Sequence, residues 1–126
     1  MINGAHVLLY SADAEADRNF LRDVLELNSV DAGHGWLIFA LPPAEVALHP
    51  SEGSSGIDTH AMLGAELYFM CDDLKATVKK LKEKKVSCGP IAEERWGIKT
   101  TIRLPSGGEL GLYQPKHPIA YNLNSK

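Results

Sequence analysis

His6–Asp13 reads HVLLYSAD, and Glu66–Asp73 reads ELYFMCDD. Each is an apolar run that ends in an acidic turn, and the two stand at a constant offset of 60 residues. A helical pattern follows both. In the first, Phe20, Leu21, Val24 and Leu25 share one face between charged positions. In the second, Leu74, Val78, Leu81 and Lys85 recur at i, i+4, i+7 and i+11. The opposite face of that second helix carries the lysines of KKLKEKK and reads as solvated surface. An internal repeat of this kind governs every later assignment.

Strand-like sequence follows each helix. WLIFALPPAEVALHP (36–50) has apolar runs on either side of a Pro-Pro turn, and KTTIRLPSGGELGLYQP (99–115) repeats the design with a longer turn. Placing Glu45 on Glu109 puts Val46 on Leu110, Ala47 on Gly111, Leu48 on Leu112 and His49 on Tyr113, an offset of 64. Between the halves, SEGSSGIDTHAMLG (51–64) has the small and polar residues of a linker. The order is strand, helix, then about three strands, written twice. It predicts one α+β domain over 1–126, with a first module at about 3–50, a linker at about 51–64 and a second module at about 65–116. The tail KHPIAYNLNSK is expected to fray. Gly111, inside the last strand, poses a question, because a strand glycine marks the close approach of a backbone or ligand.

Bulk properties narrow the function. The chain has 126 residues, 44% of them hydrophobic and 23% charged, which suits one globular domain. A net charge of -3 provides no electrostatic footprint for nucleic acid. No apolar run has the length of a membrane span, and MINGAHVLLYS lacks the pattern of a cleaved leader, so a cytoplasmic protein without membrane partners is expected. Cys71 and Cys88 make no disulfide framework; Cys71 reads as a buried, inert thiol, and no local motif marks Cys88 as a nucleophile.

The duplicated βαβββ pattern resembles the vicinal oxygen chelate superfamily, the group of glyoxalases, bleomycin-resistance proteins, extradiol dioxygenases and fosfomycin-resistance enzymes. Three stretches carry the resemblance: HVLLYSADAEADRNFLRDVL, FMCDDLKATVKKLKEKKV and LPSGGELGLYQP, the last similar to that family's closing D-P-x-G-N-x-I-E-L-Y. The resemblance implies two modules curled into an eight-stranded, cup-like mixed sheet with helices outside. It also implies a divalent metal at the bottom, held by the first and last strands of each half, whose Lewis acidity stabilises charge on a chelated substrate.

On those four positions this sequence has His6, Ala47, Glu66 and Gly111. Two donors are present and two are absent, at equivalent places in the repeat. Glu45, His49 and Glu109 share the faces of the vacant positions by strand alternation and are candidates for displaced ligands. The step between such neighbours is about 6.6 Å, too far for a side chain to recover fully. The resemblance admits a divalent cofactor (Fe, Mn, Zn or Ni), yet two missing donors argue for a chain that holds none. By the same parity Tyr10, Tyr68 and Tyr113 face the cup, with Trp96 as a stacking wall and Gly111 as open space on its floor. His34 and His60 carry no motif.

Three functions follow. The first is a small-molecule-binding protein, a homodimer like the bleomycin-resistance branch, with an incomplete metal site. The second is a metal-dependent lyase, isomerase or extradiol-type dioxygenase using His6 and Glu66 with a displaced third ligand. The third is an interaction protein whose cup is filled by its own side chains. The first suits an apolar, aromatic wall with a few carboxylates.

Overall fold

A computed structural model describes residues 1, 3–48 and 64–122. His49, His60 and nearly all of the linker lie outside the described residues. In chain order the elements are α1 (Ala14–Asp23), β1 (Ser29–Asp31), β2 (Leu37–Phe39), β3 (Tyr68–Met70), α2 (Leu74–Glu83), β4 (Ala92–Glu94), β5 (Gly97–Arg103) and β6 (Glu109–Pro115), then a 3-10 turn at Ala120–Asn122.

The repeat is visible in the helices. Both are ten residues long, and both start behind an aspartate whose carboxylate caps the third backbone N–H beyond it: Asp13 accepts from Ala16 at 3.2 Å and Asp73 from Ala76 at 3.1 Å. The acidic turns that end the two apolar runs are therefore helix starts. The ends correspond too, since Glu26 and Lys85 take positive φ values of 59° and 65° just past α1 and α2. At Lys85 this is a Schellman arrangement, with Val86 N–H reaching the Leu81 carbonyl at 3.0 Å and Lys85 N–H the Lys82 carbonyl at 2.9 Å. Lys85 thus lies beyond the helix and exposed, which corrects its place in the apolar stripe.

The second half is a complete βαβββ unit. Its sheet runs β3-β6-β5-β4, with β3 parallel to β6 and the other pairs antiparallel. The β5–β6 hairpin pairs Arg103 with Glu109 across the Leu104–Gly108 turn, where Gly107 takes φ 94°. α2 lays Leu74, Val78 and Leu81 onto this sheet, and with Val86, Ile102, Leu110, Leu112 and Phe20 they make the core. The lysines point away, as the pattern predicts.

The first half is different. Among its described residues Phe20 and Asp17 alone belong to the buried set. Its strands are a three-residue antiparallel hairpin, β1 with β2, and neither residues 3–11 nor residues 40–48 form a strand. Tyr10 is 94% exposed, Val46 87% and Leu48 83%. The class is α+β with mixed sheets, but six strands, not eight, are formed among the described residues. The physical reason is that a two-stranded hairpin is marginal alone, and these apolar segments pair with no other strand among the described residues.

One polar cluster ties the halves together. Asp17, 7% exposed, accepts from Ser11 Oγ at 2.6 Å, Ser106 Oγ at 2.7 Å and Ser106 N–H at 3.0 Å. α1 is thereby fastened to the β5–β6 turn. No helix among the described residues is long and apolar enough to cross a membrane.

Candidate functional site

Gly111 lies opposite Tyr68 in the β3–β6 ladder, and its N–H donates to the Leu67 carbonyl at 2.9 Å. The Tyr68 ring lies flat over it: a Cβ built at Gly111 would overlap the Cγ, Cδ2 and Cε2 atoms of that ring. This corrects the reading of Gly111 as open space on a cup floor. The glycine is there so that a ring can pack on the strand backbone. Gly97 does the same for Tyr113, where a Cβ would overlap the ring and stand 2.7 Å from the Gln114 carbonyl oxygen.

Two rings seated on two glycines begin a row. Tyr68 meets Tyr113 edge-on at 6.2 Å between centroids, Trp96 tilts against Tyr113 at 5.8 Å, and His117 tilts against it at 5.7 Å. The Tyr113 hydroxyl donates to the Trp96 carbonyl at 2.8 Å, which orients both. Lys99 Nζ stands 5.2 Å from the Trp96 ring centroid, a cation already on an aromatic face.

Carboxylates stand at both ends of the row. Glu66, exposed just before β3, accepts from the Tyr68 hydroxyl at 3.2 Å. Glu45 accepts from Ala120 N–H at 2.9 Å and faces His117 Nε2 at 3.7 Å. Burial raises the pKa of Tyr68, and the Glu66 charge adds to it; burial raises that of Tyr113, with Glu45 second. Both phenols therefore stay protonated and able to donate at neutral pH. Burial also pushes up the Cys71 and Cys88 thiols, which disfavours the reactive thiolate in each.

Of the five residues expected to line a cup, Tyr68, Trp96, Gly111 and Tyr113 stand together in the second half. His6 and Tyr10 are exposed on a segment that forms no strand and do not join them. Ala47 is exposed while Gly111 is buried, so the two expected vacancies are not equivalent. Glu109 pairs with Arg103 at 3.6 Å at the far end of the hairpin, which takes it away from the displaced-ligand role. Sequence reasoning missed Gly97, Lys99 and His117. Gly97 opens β5 just before the stretch that the sequence marks as strand-like, so it lacked the strand-glycine signal of Gly111; His117 carried none either, because its tail was expected to fray. Residues 116–122 are instead held down, by Lys116 N–H to the Trp96 carbonyl at 3.0 Å and by the Glu45 contacts.

Among the described residues the donor set does not fit a divalent ion. Positions 47 and 111 offer no donor atom, the Tyr68 ring covers position 111, and Glu66 already binds the Tyr68 hydroxyl. Among the described residues no three His, Cys, Asp or Glu side chains converge.

No family model and no curated protein matches the chain. Solved structures do. The antibiotic-binding protein TnmS3 from Streptomyces sp. CB03234 is 23% identical, with a TM-score of 0.59 over 92% of this chain and 100% of its own. A lactoylglutathione lyase from Agrobacterium tumefaciens is 18% identical, with a TM-score of 0.61 over 89% of this chain and 92% of its own. A glyoxylase/bleomycin resistance protein/dioxygenase domain from Frankia sp. EAN1pec is 15% identical, with a TM-score of 0.59 over 98% and 99%. At these identities the likeness is one of fold: the chain has the fold of the glyoxalase/bleomycin-resistance/dioxygenase proteins.

Proposed function

We propose that the chain binds a small organic molecule against the row of Tyr68, Trp96 and Tyr113, as a homodimer in which a second copy completes the cup. The observation that carries the reading is the pair of rings seated on Gly111 and Gly97. Where a metal-dependent relative needs donors, this chain presents aromatic faces, and carboxylates only at their ends. Such a surface recognises planar or cationic groups by stacking and orients them with few polar contacts. The antibiotic-binding function named for TnmS3 supports the same class of activity here.

The first half supports the dimer. Val7, Leu8, Leu9, Val30, Trp36, Val46 and Leu48 are exposed in a single chain, and among the described residues β3 is an edge strand with one side unpaired. Apolar segments without an edge and an edge without a strand are complementary needs. The test is a thermal-shift and fluorescence screen of aromatic, heteroaromatic and cationic compounds, with sedimentation analysis of the free protein. Binders whose signal is lost in Tyr113→Leu and Trp96→Leu, on a dimeric protein, are the expected result. A monomer that binds no such compound would overturn the reading.

A further inference from the structure

His117 lies on Tyr113 with the two planes tilted by 35°. Its Nδ1 is 2.7 Å from the Pro118 carbonyl oxygen, which can only accept, so Nδ1 carries a proton. The other nitrogen, Nε2, faces Glu45 Oε2 at 3.7 Å. The chain thus sets one of its own planar nitrogen heterocycles on a phenol ring, with the outer nitrogen toward a carboxylate. The segment is anchored at its start by Lys116 N–H to the Trp96 carbonyl at 3.0 Å and held lightly beyond it. Lys116 Nζ meets Glu93 at 3.0 Å on the surface, an exposed pair of small worth, and Ala120 N–H meets Glu45 Oε1 at 2.9 Å.

We propose that His117 is an internal occupant of the aromatic site and that residues 117–122 form a strap hinged at Lys116, which a planar heterocycle bearing an N–H or a positive charge displaces. The ligand stacks on Tyr113 and takes over the Glu45 carboxylate. This deepens the small-molecule reading of the same site and rests on it. One further feature points to the same ligand chemistry: Glu66 gives the other end of the row a second carboxylate. Leaving costs the strap few contacts, because its side of Glu45 is satisfied by the incoming group.

An internal occupant lowers apparent affinity by the fraction of molecules that are open. With the strap closed in about nine molecules of ten, removing its ring tightens binding about tenfold. The probe is benzimidazole, with naphthalene as a planar control lacking nitrogen. Both are titrated into the full chain in a Trp36→Phe background, so that Trp96 reports binding by fluorescence. His117→Ala is expected to bind benzimidazole about tenfold tighter than its parent, and Glu45→Gln added to it abolishes the gain; naphthalene shows no dependence on Glu45. In the parent protein, benzimidazole raises hydrogen exchange at the Ala120 amide as the strap leaves. Unchanged or weaker binding by His117→Ala, a gain that survives Glu45→Gln, or no binding by either protein overturns the proposal. Compounds from the wider screen that bind at Tyr113 with no dependence on His117 would sink the strap alone and leave the binding reading standing.

Discussion

Replacing Gly111 with alanine should destabilise this protein, although the same change in an ordinary strand does the reverse. Alanine in a strand is favoured over glycine by about 0.5–1 kcal/mol, since less backbone freedom is lost on folding. At Gly111 the new methyl falls within the Tyr68 ring. The ring must rotate away, which forfeits its edge contact with Tyr113 and its hydrogen bond to Glu66. Overpacking of this kind costs about 1–3 kcal/mol. At an unfolding entropy of roughly 2.1 cal/mol/K per residue, a chain of this length loses about 4–12 °C in Tm. The control is the same substitution in a Tyr68→Ala background, where nothing covers position 111. There alanine should stabilise by a few tenths of a kcal/mol, so the effect changes sign. Urea unfolding of the four proteins gives the coupling, which should exceed about 1 kcal/mol. A Gly111→Ala that is neutral or stabilising in the parent, or that costs the same with and without Tyr68, refutes the account of this glycine.

Asp17→Ala should cost about 2–4 kcal/mol in urea unfolding, because three donors lose a buried, charged acceptor and the Ser106 N–H is left without its partner. Asp73→Ala should cost about 1 kcal/mol through the lost cap of α2, read in the same assay. The raised pKa values of Tyr68 and Tyr113 favour the protonated fold, so stability should hold up to the ordinary tyrosine range and fall as pH rises past about 10, where the unfolded chain releases its protons first. Tyr68→Phe with Tyr113→Phe should flatten that alkaline limb; an unchanged limb assigns it to other groups. Zn²⁺ or Mn²⁺ should raise Tm no more in the parent than in His6→Ala or Glu66→Ala. A shift near the ~2.7 kcal/mol expected at one hundred times a dissociation constant, lost in both variants, would establish a metal site.

The sequence by itself determined the repeat and everything that depends on neighbours along the chain. The offset of 60 between two apolar runs with acidic ends places two equal helices behind Asp13 and Asp73. The i, i+4, i+7 spacing selects the buried face of α2, and the Ser-Gly-Gly turn sets the β5–β6 register. These are legible because a helix cap, a helical stripe and a hairpin turn are formed by residues close in sequence. What the tertiary structure alone decided is which partner each nonlocal group meets. Gly111 is a glycine because of Tyr68, which lies 43 positions earlier and reaches it only through the parallel β3–β6 ladder. Glu45 is drawn to Ala120 and His117, not to a metal, by a chain reversal that no pattern in KHPIAYN announces. The apolar run at His6–Tyr10 shows the same divide. Its composition states that it needs burial, but a strand's hydrogen bonds belong to whatever edge lies beside it, and that edge is not encoded in the strand.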